Sequence, residues 1–198
     1  MNYQEDEKEI EDKDYIEIID GHNPSGYFWI MPVKQCKPKG PKLLGYMNNW
    51  EELREYEISI DESNVFAYLS YILFKHFDTK LEANKTRDMD DVDDINSFVW
   101  YLEYNFFTYE QIKEIIKDIK KVITLIDKAD GKEEFQEMIR KEFPLKQWFN
   151  YYQKDFAEQL FSWYSINAVR DFYVRFCSKM EEMMNNCKET NLIVFMGP

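Results

Sequence analysis

TYEQIKEIIKDIKKVITLID, residues Thr108–Asp127, is the stretch on which the fold turns. Its apolar residues Ile112, Ile115, Ile116, Ile119, Val122, Ile123 and Ile126 recur at helical spacing and form one stripe. Thr108 followed by Gln111 fits a capping box, which satisfies two of the first orphan amides. Lys113, Lys117, Lys120 and Lys121 fall off the stripe, toward water. Gly131 stands just past the end, where a left-handed stop comes easily to glycine. A helix so one-sided needs a core to lie against.

The flanking sequence supplies that core. Upstream, Val92, Ile95, Phe98, Val99, Leu102 and Phe106 predict a preceding helix. Before it, Asp61 or Ser63 can cap a helix whose stripe is Val65, Leu69, Ile72, Leu73 and His76, with Phe66 and Phe77 beside it. Downstream, Glu133–Phe143 is a shorter helix with Phe135, Met138 and Ile139 inward, ended by Pro144. Two further stripes follow. One holds Trp148, Phe149, Tyr152, Phe156, Leu160 and Trp163; the other Val169, Phe172, Tyr173, Phe176, Met180, Met183 and Met184. Between them, Ser165–Asn167 is either a kink or a break.

Strand signals lie at the two ends of the chain. Tyr15–Ile19 and Tyr27–Met31 are short β-rich runs, the second ended by Pro32, with the turn formers of Asp20–Gly26 between them. Glu55–Ile60 alternates like a strand after a helical turn, and the tail Leu192–Met196, LIVFM, is a strand that returns to the first ones. The expected class is α+β and mostly helical. A small N-terminal antiparallel sheet, with the tail strand added, packs on a bundle of about five or six helices. Residues 1–14 are an acidic flexible arm, and 15–198 form a single globular domain. Within it, 15–60 plus 192–196 are β-rich and 61–187 helical.

Bulk composition bounds function. A chain of 198 residues, 44% hydrophobic and 17% aromatic, has enough apolar mass for a core without staples. The net charge of −13 argues against nucleic acid and anionic membrane as partners, because phosphate contact needs clustered Lys and Arg. The same charge steers a basic protein inward. Three cysteines, Cys36, Cys177 and Cys187, make an odd set without a CxxC pair. That reads as reduced thiols in a cytoplasm. The start, MNYQEDEKE, lacks the apolar core of a signal peptide.

Catalytic signals are sparse. Asp90, Asp91 and Asp94, within Asp88–Asp94, resemble the DDxxD spacing with which helical isoprenoid synthases hold magnesium and a diphosphate. Read plainly, these acids occupy the first turn of a helix, where negative charge offsets the dipole and caps free amides. His22 falls in a turn and His76 on a helix stripe; neither belongs to a Glu-x-x-His or HExxH pattern. Lys34–Lys42 is a basic loop that surrounds Cys36 and can contact the acidic arm of its own chain.

The sequence therefore predicts a non-enzymatic acidic module that binds a basic protein, as an immunity or antitoxin protein does. The alternative is a Mg-dependent helical enzyme built on Asp90, Asp91 and Asp94. A third reading is an assembly subunit that pairs edge to edge through Tyr27–Met31 or the tail.

Overall fold

The computed structural model describes residues 13–21, 23, 28–33, 54–86, 104–143, 159–187 and 190–196. In chain order the elements are β1 (Ile19–Asp20), β2 (Phe28–Val33), β3 (Ile58–Ile60), α1 (Phe66–His76), β4 (Tyr104–Thr108), α2 (Tyr109–Lys128), α3 (Lys132–Glu142), α4 (Ile166–Asn186) and β5 (Leu192–Met196). Short 3-10 turns occupy Arg54–Tyr56, Ser63–Val65 and Glu82–Thr86, and residues 159–163 are helical. The architecture is α+β.

The helix at the centre of the sequence reading is α2. Ile112, Ile115, Ile116, Ile119, Val122 and Ile126 are buried along it. Its capping box is complete: the Thr108 hydroxyl accepts from the Gln111 amide at 3.3 Å, and the Gln111 carboxamide accepts from the Thr108 amide at 2.8 Å. Thr108 is also the last residue of β4, so strand passes to helix with no loop between. The reason is conformational. An N-cap adopts extended dihedrals, here φ −70 and ψ 159, which a strand already has. Replacing Thr108 by Ala should cost about 1 kcal/mol in urea unfolding. An unchanged midpoint would show that the box adds nothing.

The helix ends differently from expectation. Ala129 is the C-cap in extended conformation, and Gly131, at φ +99, instead starts α3. Positive φ is needed there, but to turn into the next helix rather than out of the last one. The expected cap of α1 is also replaced. Val65 holds the N-cap without a side-chain bond, while the Glu62 carboxylate accepts from the Asn64 amide at 2.9 Å. Ser165 settles the kink-or-break question as a break. It is the N-cap of α4, its hydroxyl accepting from the Ala168 amide at 3.1 Å.

The sheet has five strands in the order β1-β3-β2-β5-β4, every neighbouring pair antiparallel. It is neither strictly N-terminal nor small. β4 enters from mid-chain, from a stretch expected to be helical, and Phe106 lies in this strand rather than on a helix stripe. The tail strand β5 sits inside the sheet, paired with β2 from Trp29↔Met196 to Val33↔Leu192 and with β4 from Tyr104↔Met196 to Thr108↔Leu192. β2 and β5 are thus interior strands, not the exposed edges the assembly reading requires. β2 also runs through Pro32 to Val33. Its ladder to β3 stops at Ile30, so one flank is past its partner where proline lacks an N–H.

Both faces of the sheet are buried. Phe28, Ile30, Ile58, Ile60, Phe107, Ile193 and Phe195 join the α1, α2 and α4 stripes in the main core. Met31, Val33, Phe106, Leu192, Val194 and Met196 form a second cluster with Ala83. Two-sided burial explains why LIVFM and FWIM are continuous apolar runs rather than alternating ones. Among the described residues, no helix is long and apolar enough to cross a membrane.

The N-terminal segment straps onto α4. Lys13 pairs in parallel with Tyr164, its amide donating to the Trp163 carbonyl at 2.7 Å. The Arg175 guanidinium donates to the Ile16 carbonyl at 2.7 Å and lies 4.4 Å from the centre of the Tyr15 ring. Trp163, expected on an inward stripe, is 42% exposed, with the Lys13 ammonium 5.9 Å from its ring centre.

Candidate functional site

Among the described residues, two places gather charged groups around a buried carboxylate, Asp118 in one and Glu57 in the other. The first is built around Asp118, an acid set among the isoleucines of α2. Its side chain is only 4% exposed. One oxygen, Oδ2, accepts from Lys75 Nζ at 2.7 Å and meets His76 Nε2 at 2.9 Å; the other, Oδ1, accepts from Lys121 Nζ at 2.7 Å. Burial pushes this carboxyl up, but the hydrogen bonds from Lys121, Lys75 and His76 outweigh it and hold the group well below the usual carboxylate range. In return, the bond to Asp118 raises Lys121. Lys75 and His76 end α1, and the Gln111 carboxamide donates to the His76 carbonyl at 2.8 Å. The cluster therefore bolts the end of α1 to the middle of α2. Both Asp118 oxygens are engaged, so this acid is a joint rather than a poised base.

The second place is a cleft of about 290 Å³ between the β1–β3 edge and the C-terminal turn of α4. Asp20, Glu55, Glu57 and Glu182 line it, with Lys179 as the cation among the described residues. Lys179 Nζ lies 2.6 Å from Asp20 Oδ1. Glu57 is buried, whereas Asp20, Glu55 and Glu182 are exposed. The Glu55 carboxylate, which the Tyr56 hydroxyl contacts, pushes the Tyr56 phenol up. The turn of α4 adds to this field. Its last carbonyls carry the negative end of the helix dipole, and no basic residue occupies the last turn. The apolar part of the lining comes from Ile58 and Met183. Such a cleft suits a cationic side chain with an aliphatic stem, such as Lys or Arg.

The thiols near these sites are not set up for reaction. Cys177 and Cys187 are free and buried, and burial pushes their thiols up to about 12 and about 11. Among the described residues, no group of three or more His, Cys, Asp or Glu is placed to hold a metal ion.

The sequence-derived metal candidates Asp90, Asp91 and Asp94 lie outside the described residues, as do His22, Cys36 and the Lys34–Lys42 loop. His76, expected on a helix stripe, is half-buried there and takes part in the Asp118 cluster. Sequence reading passed over Asp118 itself. The signal was present: Asp118 stands three residues after Ile115 and four before Val122, so it shares their face. An acid on an apolar stripe needs a cationic partner from another element, and His76 was the polar residue on the neighbouring stripe. The cleft had no comparable signal, because its acids come from three separate stretches of chain.

No family model matches the chain, and neither a curated protein nor a solved structure matches it.

Proposed function

We propose that this chain is a non-enzymatic module that binds a basic protein, in the manner of an immunity or antitoxin protein that covers a cationic toxin. The observation that carries the reading is the cleft beside α4, where, among the described residues, four carboxylates and a helix C-terminus with no basic residue in its last turn face one lysine. The overall charge of −13 acts in the same direction. A distributed negative field speeds encounter with a cationic surface, and a concave acidic patch gives an arriving Lys or Arg a defined place. On this reading residues 15–198 act as one folded unit in the cytoplasm, where the thiols stay reduced.

The test begins with affinity capture from the source cells and identification of the retained protein. The expected partner is basic, and its binding weakens as salt is raised. Replacing Glu55 and Glu182 together by Lys should slow association by about tenfold while leaving the fold intact, since both side chains are exposed. An acidic partner, or an association rate indifferent to salt and to the double substitution, would overturn the proposal.

A further inference from the structure

We infer that Lys179 is an autoinhibitory occupant of the acidic cleft, holding the position that a partner's Lys or Arg side chain takes on binding. The inference rests on the reading of the cleft as a receptor for a basic protein, and concerns how that site is kept before the partner arrives.

Lys179 stands three residues before Glu182 and four before Met183, so the three share the face of α4 that lines the cleft. From there its ammonium reaches β1, where it rests 2.6 Å from Asp20 Oδ1. The ion pair thus joins the two walls of the cleft. An ammonium on an aliphatic stem is also the chemistry that the cleft is suited to receive from outside. The chain supplies that group to itself.

The pair is placed to exchange partners. Its side chains are 32% and 69% exposed, so water reaches both charges and screens their attraction. A released Lys179 regains its hydration, and Asp20 passes to the arriving cation. The docking of β1 has other supports. It pairs with β3 at Ile19↔Ser59 and Asp20↔Ile58, and the Gly21 amide donates to the Glu57 carbonyl at 2.6 Å. Four residues earlier on α4, Arg175 holds the same segment by the Ile16 carbonyl. Asp118 is the opposite case, a buried acid whose three partners tie two helices together. Affinity for an incoming cation falls by the fraction of time that Lys179 keeps Asp20 engaged. For an exposed pair that reduction amounts to about fivefold at most.

The test is an NMR titration with N-acetyl-arginine amide at about 0.15 M salt, where distant charges are screened. The backbone amides of Asp20, Glu55 and Glu182 report binding in the cleft. Lys179→Met should bind the probe about fivefold more tightly than the wild type. Lys117→Met is the control. It also removes one positive charge and releases an exposed acid, Glu114, but on α2 and outside the cleft. It should change affinity by less than about twofold. Adding Asp20→Asn to Lys179→Met should cancel the gain, because the released carboxylate is what the probe acquires. Lys179→Gln serves as a second uncharged side chain if the methionine variant does not fold. A gain no larger than that of Lys117→Met, a gain that survives Asp20→Asn, or no shifts in the cleft of any variant would each overturn the inference. Its failure is distinct from that of the proposed function. Capture of a basic partner whose association responds to Glu55 and Glu182, beside equal probe affinities of Lys179→Met and wild type, removes the inference alone. A fivefold gain without any basic partner removes the protein partner and leaves a self-occupied cation site.

Discussion

Phe106→Ala and Phe107→Ala should each lower the unfolding free energy by about 3–5 kcal/mol, although the two side chains point to opposite faces of β4. Both are fully buried, at 0% exposure. Phe107 lies in the main core, its ring centre 6.0 Å from that of Phe77 and 5.4 Å from that of Phe195, both in edge-to-face contact. Phe106 belongs to the second cluster, with Met31 and Val194. In a sheet with one wet face, one of these substitutions would cost little, since surface changes usually stay within about 0.5 kcal/mol. In a sheet buried on both sides, each leaves a cavity as well as losing its transfer energy. Paired urea titrations decide the matter. A cost below about 1 kcal/mol for either variant would mean that its face is not packed as described.

The second large effect is at Asp118. Asp118→Ala should cost about 2–3 kcal/mol at neutral pH, the range for losing hydrogen bonds to a charged group. The loss stays below that of a fully buried broken pair because the Lys75 and Lys121 side chains, 44% and 46% exposed, can turn to water. The effect should depend on pH, with a definite sign. The folded-state pKa of Asp118 is depressed below its unfolded value of about 3.9. Its contribution is therefore complete above that value and is lost as pH falls through it toward the folded one. The stability gap between the wild type and Asp118→Asn should be widest near neutrality and close in strong acid. A gap that stays constant through the acid range would show that the charge of Asp118 carries no stability.

How much of this was legible in the sequence differs by element. α2, its capping box and the buried stripe of α4 could be read directly, because a single amphipathic helix carries its period in a short window. The tail strand could be read from LIVFM alone. β4 could not be read by period, since Phe106 lies four residues after Leu102 and passes for the end of a helical stripe. A helix ending at Phe106 would leave only Phe107 before the Thr108 cap, shorter than helix–helix connections of about two to eight residues. The aromatic pair before that cap was the strand signal. Of the candidate sites, His76 and the acids of the cleft are plain in the sequence as residues, but not as neighbours.

The sequence by itself determined what local periodicity and chemistry can determine: the helices with one apolar face, the capping box of α2, the strand-forming tail and the excess of acid. Tertiary structure alone decided that a mid-chain segment closes the sheet beside that tail. It also decided that Asp118 meets two lysines and a histidine, and that the acids of Asp20, Glu55, Glu57 and Glu182 share one cleft. The physical reason is range. Helical period and cap geometry act over a few residues. The partners of Asp118 at Lys75 and His76, and those of β4 in β5, lie tens of residues away and meet only when the core assembles.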